Sequence, residues 1–340
     1  VSNVDWKPLA GKIGEAERIV LGTHINADGD GLGCQIAFRE FLVGLGKDVR
    51  VINSEACSER YQFLKGSEKI EPYDSAVHSD LIRKADLFIV IDNSSVERLA
   101  RVREDVEATG ALKVCIDHHS SVNPFWQINC VDTEACASGQ LIYELVSHMG
   151  GELTPAMAEA LYVSFITDTG HFRFSKTTAG THRIVAHIME VGDVFPPRFY
   201  TEIYENTAPG MATLTGVAMS GMKFEYGGRF AWMKMTWKQI VDNGAEEEDT
   251  GDLVNTSLAV QGVVAGALFR EMPDGKTKIS LRSKGDIDVS ALASSLNGGG
   301  HKNASGILMP VPINEAIRTI IDRIKDYIPG AGGLEASSGR

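Results

Sequence analysis

The chain has 340 residues, 43% of them hydrophobic and 23% charged, with a formal net charge of −12 at pH 7, which is enough chain for two domains with a core each. That acidic balance argues against a broad grip on long duplex nucleic acid, which needs a basic face, but leaves room for a small anion held locally by a few cations. No apolar run approaches the about 20 residues of a membrane span and no secretory signal opens the chain; five cysteines, an odd number with no Cys-x-x-Cys pair, fit a reducing cytoplasm better than a disulfide framework.

In chain order, short apolar, β-branched runs at residues 18–21, 49–52, 87–91, 114–116 and 127–131 predict five strands. Helical periodicity covers 32–45, 138–149, 155–166 and 178–191. Their alternation predicts an α/β fold: a mostly parallel five-stranded sheet with helices on both faces. Pro196 and Pro197 interrupt the helical pattern and begin a connector. A second character starts near Met222, with a hairpin signal at Gly227-Gly228, a turn at Pro273-Asp274-Gly275, and helices expected over 287–296 and 313–328. The expected organisation is a catalytic domain over 1–191, a helical linker over 192–221, a smaller α+β substrate domain over 222–329 and a disordered Gly/Ala/Ser-rich tail over 330–340. The acidic run 246–249 reads as a solvated loop.

Four polar clusters lie at element ends in the first half. His24-Ile25-Asn26-Ala27-Asp28-Gly29-Asp30-Gly31 follows the first strand. Two carboxylates and an imidazole so close together suit a divalent cation; the alternative is an Asx turn capping the next helix. Asp92-Asn93-Ser94-Ser95 ends the third run, where a lone Asp is more often a helix cap than a ligand. Asp117-His118-His119 ends the fourth. Adjacent residues on an extended segment point in different directions, so one His can ligate while the other faces substrate and the Asp orients an imidazole. Thr167-Asp168-Thr169-Gly170-His171 closes a helical pattern. Together the four clusters hold enough ligands for a dinuclear site. In the second domain, Asn297-Gly298-Gly299-Gly300-His301-Lys302 combines glycines, whose amides can approach an anion closely, with two cationic side chains. Arg282, near a strand end, suits bidentate phosphate recognition. A plain loop is the alternative for the glycines.

The order His-x-Asn-x-Asp-x-Asp, strand-end Asp, Asp-His-His, Thr-Asp and Gly-Gly-Gly-His resembles the DHH phosphoesterase superfamily, in the branch with a DHH-associated C-terminal domain. The resemblance spans roughly 17–328, and the compact length is similar to that of nano-RNases that also act as pAp phosphatases, a group often labelled exopolyphosphatase-related. It implies two Mn²⁺ ions, with Mg²⁺ or Co²⁺ as substitutes. One ion is expected on His24, Asp28 and Asp92, and the other on Asp30, Asp92, His118 and Asp168, with Asp92 as the bridge. It further implies that Asp117 supports the cluster, that His119 sits near the reacting phosphate, and that Arg282 and His301, with Gly299, Gly300 and Lys302 beside them, hold substrate phosphate. Asn26 stands where many relatives have proline, and His171 and Arg173 match no motif.

The expected activity is hydrolysis of short oligoribonucleotides to mononucleotides, or of pAp to AMP, by water activated between two metals. The expected partner is short RNA or a small nucleotide, with no long duplex and no membrane, and a second copy of the chain in a homodimer is left open. The alternatives are a phosphodiesterase for cyclic or linear dinucleotides and a non-catalytic nucleotide-binding regulator. A RecJ-type exonuclease needs more chain and a basic channel, and a family II pyrophosphatase lacks the Gly-Gly-Gly-His domain.

Overall fold

The computed structural model describes residues 2–119, 123–244 and 253–330. It divides into two compact units, Val1–Asn206 and Thr207–Arg340. The acidic run 246–249 and the tail beyond 330 lie outside the described residues.

The first unit is a parallel sheet of six strands: β1 Arg18–Gly22, β2 Asp48–Asn53, β3 Ile70–Pro72, β4 Leu87–Ile91, β5 Leu112–Asp117 and β6 Ile128–Val131, in the order β3-β2-β1-β4-β5-β6. The apolar runs of the sequence predict five. The additional strand, β3, has only three residues and ends in Pro72, too short to show a period. It takes the edge position, where proline costs no ladder bond. Among the described residues, eight α-helices accompany the sheet: α1 Lys7–Glu15, α2 Gly29–Gly44, α3 Ser75–Lys84, α4 Arg103–Ala108, α5 Ser138–His148, α6 Pro155–Asp168, α7 Ala179–Gly192 and α8 Pro196–Tyr204.

Successive strand residues feed opposite cores, because side chains alternate across a sheet. Ile19, Leu21, Ile89, Ile91, Val114 and Ile116 join one core with the apolar residues of α1, α2, α5, α6 and α7. Val20, Ile52, Phe88, Val90 and Cys115 join the other, with Ile82 of α3 and Val106 of α4. Burial on both faces explains why the strands read as unbroken apolar runs. Helix α6 is buried almost all round, from Met157 to Ile166. The five cysteines are buried and free, and among the described residues no helix is long and apolar enough to cross a membrane.

Pro196 and Pro197, which interrupt the helical pattern in the sequence, start α8, since proline is well placed in a first helical turn. Its Phe199 meets the rings of Tyr162 and Phe63 in the first core.

The second unit has a six-stranded mixed sheet of β7 Lys223–Glu225, β8 Phe230–Met235, β9 Ala265–Glu271, β10 Thr277–Ser283, β11 Gly299–His301 and β12 Ala304–Met309, in the order β11-β12-β10-β9-β8-β7. Among the described residues, only β8 and β9 pair in parallel. Helices α9 Pro209–Ser220, α10 Trp237–Asp242 and α11 Val254–Leu258 pack on one face, with Leu214, Ile240 and Val254 against Met233 and Leu268. Helices α12 Val289–Ser294 and α13 Ile313–Ile324 pack on the other, with Leu292 and Ile320 against Phe269 and Ile279.

Candidate active site

In the order β3-β2-β1-β4-β5-β6 the direction of winding reverses between β1 and β4, and the crevice beyond the carboxyl ends of such strands is where α/β sheets bind ligands. The register pairs Leu21 with Ile89 and Ile91 with Ile116, so the residues that follow leave the sheet side by side. Thr23 Oγ1 donates to the Ile91 carbonyl at 2.8 Å, and the Asp92 amide donates to the Ile116 carbonyl at 2.9 Å. His24, Asp92 and Asp117 are thereby brought together, with Asp168 arriving at the last residue of α6.

Each carboxylate is held differently. Asp28 caps α2, its Oδ1 accepting from the amides of Asp30 at 3.0 Å and Gly31 at 3.3 Å. The capping and ligand readings of this loop are thus compatible in one residue. Asp30 is fully buried. It accepts from the amides of Ser138 at 2.7 Å and Gly139 at 3.1 Å, from the Ser164 hydroxyl at 2.6 Å and from the Cys34 thiol at 3.3 Å. The amides belong to the start of α5, the end of a helix that favours negative charge. A Cβ at residue 139 would collide with Ser164 Oγ, so glycine is what lets both donors reach the same carboxylate. Asp92 is buried in a left-handed conformation, φ +60°, which Asp tolerates better than most residues. Its Oδ1 accepts from Ser138 Oγ at 3.0 Å.

The histidines are oriented by carbonyls and a carboxylate. His24 Nδ1 donates to the Ile25 carbonyl at 2.8 Å and His118 Nδ1 to the Ala135 carbonyl at 3.1 Å. A carbonyl can only accept, so both rings carry the proton on Nδ1 and turn Nε2 to the carboxylates. His24 Nε2 lies 3.4 Å from Asp92 Oδ2; His118 Nε2 lies 3.7, 3.6 and 3.4 Å from oxygens of Asp30, Asp92 and Asp168. Asp117 Oδ1 accepts from the His118 amide at 2.8 Å, the His119 amide at 3.2 Å and His119 Nδ1 at 2.6 Å. His119 Nδ1 is also 3.7 Å from Asp92 Oδ1.

Acceptors aimed at acceptors in a buried space need a positive charge among them. Burial and the neighbouring charges of Asp30 and Asp28 push the Asp92 carboxyl well above the usual range. Burial lifts Asp168 to about 7, although His118 opposes it. Burial pulls His118 down, yet the carboxylates of Asp168, Asp30, Asp92 and Asp117 outweigh it and raise the ring to about 9. Left to itself, the cluster recruits protons. Ligand atoms of His24, Asp28 and Asp92 lie within 4.8 Å of one another, as do those of Asp30, His118 and Asp168, and of Asp92, His118 and His119. Imidazole nitrogens mixed with carboxylate oxygens suit Mn²⁺, Mg²⁺, Co²⁺ or Zn²⁺, and the residues fit such ions.

Residues 18–165 match the model of the DHH family N-terminal domain, and residues 231–329 match the DHHA1 domain. The chain carries a DHH domain followed by a DHHA1 domain. It is 26% identical over 317 residues to the bifunctional oligoribonuclease and PAP phosphatase NrnA of Thermus thermophilus, covering 93% of this chain and 92% of that one. To the NrnA of Bacillus subtilis it is 27% identical, covering 85% and 88%. Among solved structures, an exopolyphosphatase-related protein from Bacteroides fragilis superposes with a TM-score of 0.91 at 26% identity, covering 98% of this chain and 99% of that one.

In the DHHA1 domain the predicted substrate residues occupy one end of the mixed sheet. Arg282 is on β10, in register with Ala304 on β12 and Gly266 on β9, and its Nη1 donates to the Leu281 carbonyl at 3.1 Å. Gly299, Gly300 and His301 form β11 and pair with Gly306, Ser305 and Ala304, so the glycine run is half of a hairpin. Gly300 has φ +136°, and a Cβ there would lie 2.5 Å from the Ala304 carbonyl oxygen, whereas one at residue 299 would meet nothing within 4 Å. Lys302 Nζ pairs with Asp286 at 2.8 Å.

Sequence reasoning misses Ser138, Gly139 and Ser164 of the DHH domain, which hold Asp30 and Asp92. Ser138 and Gly139 are legible only as the start of a helix. Ser164 stands inside an apolar helix, where a single hydroxyl is the one clue to a buried polar partner.

Proposed function

We propose that this chain is a metal-dependent hydrolase acting on phosphate esters of very short oligoribonucleotides and of pAp. The observation that carries the reading is the convergence of buried His24, Asp30, Asp92 and His118 with half-buried Asp168 and exposed Asp28 at the carboxyl ends of the strands. The covering likeness to two NrnA proteins supports the substrate class. His24, Asp28 and Asp92 would hold one divalent ion, and Asp30, Asp92, His118 and Asp168 a second, with Mn²⁺ as the favoured metal. Bound there, divalent ions supply Lewis-acid charge to the phosphoryl group and to the attacking water.

The chain's own residues do the rest. Asp117, fixed by three donors, keeps the His119 proton on Nδ1. Nε2 is then the nitrogen at which His119, partly exposed, accepts or returns a proton beside the reacting phosphate. Arg282, His301 and the amides of Gly299 and Gly300 bind substrate phosphate, with Lys302 a lesser contributor because of its pairing with Asp286. These few cations in a chain of net charge −12 offer a longer polyanion little additional contact.

A parallel turnover assay with Mn²⁺ tests the reading. The substrates are pAp, linear dinucleotides, oligoribonucleotides of two to twenty residues and inorganic polyphosphate. Activity is expected to be highest on pAp or on chains of about two to five nucleotides and to fall steeply by about twenty, with removal of metal by EDTA abolishing it. Rapid processive digestion of a long single strand would overturn the assignment.

A further inference from the structure

The segment after Asp168 is bent hard. Gly170, His171 and Phe172 have φ of +54°, +60° and +63° in succession, a conformation that two side-chain-bearing residues rarely adopt together and that tends to persist where the surroundings over-determine it. Thr169 is what over-determines it. Its Oγ1 accepts from the Phe172 amide at 2.9 Å, and its carbonyl accepts from the amides of Arg173 and Phe174, both at 3.1 Å. The turn sends Phe172 toward the core and leaves His171 and Arg173 exposed.

His171 is turned onto α8. Its ring centroid is 5.0 Å from that of Tyr200 and 4.9 Å from that of Tyr204, and the two tyrosines are 5.3 Å apart. Four residues separate them, so they share one helix face. Tyr204 is tied back to α6 by its hydroxyl, which donates to the Ile166 carbonyl at 3.4 Å. Tyr200 is 43% exposed. Beside them, the Arg173 guanidinium lies 5.1 Å from the Phe174 ring. Two solvent-open rings, His171 and Tyr200, packed with a half-buried Tyr204 and close in sequence to a cation, have the features of surfaces that stack bases of single-stranded nucleic acid. His171 is three residues from Asp168, a span of at most about 11 Å. The His171 end of the cluster therefore lies within one nucleotide's reach of Asp168.

We propose that His171, Tyr200 and Tyr204 form a stacking platform for a nucleobase of the substrate. This rests on the reading of the chain as a hydrolase of short nucleotides and adds to it the group that recognises the base. Sequence tolerance follows, because stacking uses the face that every base has.

The test compares adenylyl-adenosine dinucleotide with analogues in which each nucleoside in turn lacks its base, in the wild-type chain and in Tyr200→Ala, Tyr200→Phe and His171→Ala. The preference in kcat/KM for the base-bearing substrate over one abasic analogue is expected to fall on the order of tenfold or more in Tyr200→Ala and His171→Ala, through KM, and to be kept by Tyr200→Phe. An unchanged preference in both alanine variants would overturn the platform. If the wild-type chain turns over none of these substrates, the hydrolase reading fails and the platform is judged by AMP binding alone. Its Kd should weaken in Tyr200→Ala by a similar factor, and equal affinity for wild type and variant would overturn it.

Discussion

Asp30 accepts from two amides, a hydroxyl and a thiol and is sealed from solvent, whereas Lys302 extends into water and closes a pair with an exposed Asp286. The contrast holds for the regions around them. At the strand ends of the first unit, polar groups are buried, fixed by donors from several elements, and mutually repulsive without a cation. At the hairpin end of the second, the chain is near the surface, and two of its notable glycines serve the backbone. A Cβ at residue 298 would strike the Gly306 carbonyl, and one at residue 300 the Ala304 carbonyl. A cation-binding cluster has to be built rigidly because like charges separate if allowed to. An anion-binding edge needs only a few donors in reach.

Five substitutions sharpen or break that contrast. Asp92→Ala should have the largest effect, lowering kcat/KM by about 10³-fold or more and emptying most of the bound metal, read by elemental analysis of the purified protein; full metal occupancy would remove Asp92 from its bridging role. Arg282→Ala should lower kcat/KM by about 10²-fold with metal content intact, as expected for a charge-assisted phosphate contact. A parallel loss of metal there would erase the division between the regions. Ser138→Ala, which takes a hydroxyl from Asp92, should weaken metal binding by about tenfold, measured by competition with a chelating dye. Gly300→Ala should destabilise the second unit by ~2 kcal/mol through its positive φ and the blocked carbonyl approach, while Gly299→Ala should cost no more than ~1 kcal/mol in denaturant unfolding. Equal costs would mean that the hairpin does not depend on close backbone contact at residue 300.

The same contrast explains what is legible in the sequence. A lone aspartate at a strand end reads as a helix cap, but aspartates and histidines recurring after three apolar runs point to the crevice. The cap function of Asp28 does not conflict with this, because one carboxylate has room for amide donors and a cation. Glycines have several uses, and nothing in Gly298-Gly299-Gly300 separates an anion cradle from a tight hairpin. Strands β11 and β12 are hard to read for that reason: β11 consists of two glycines and a histidine, without the branched residues that announce a strand. Strand β3 is too short. Ser138, Gly139 and Ser164 stay hidden because their role is to satisfy a partner far along the chain, 108 residues away for Ser138 and 134 for Ser164.

The grip on Asp30 also shapes how such a molecule could change its trade over evolutionary time. Deleting that carboxylate strands two amides and a hydroxyl in the interior, at about 1–3 kcal/mol each, so the lineage that loses it gives up stability as well. Asp92 accepts one hydroxyl and is crowded by other negative charges, so its replacement relieves as much as it removes. A descendant that keeps nucleotide binding and abandons turnover, such as a sensor or a decoy, is therefore reached more readily through residue 92 than through residue 30.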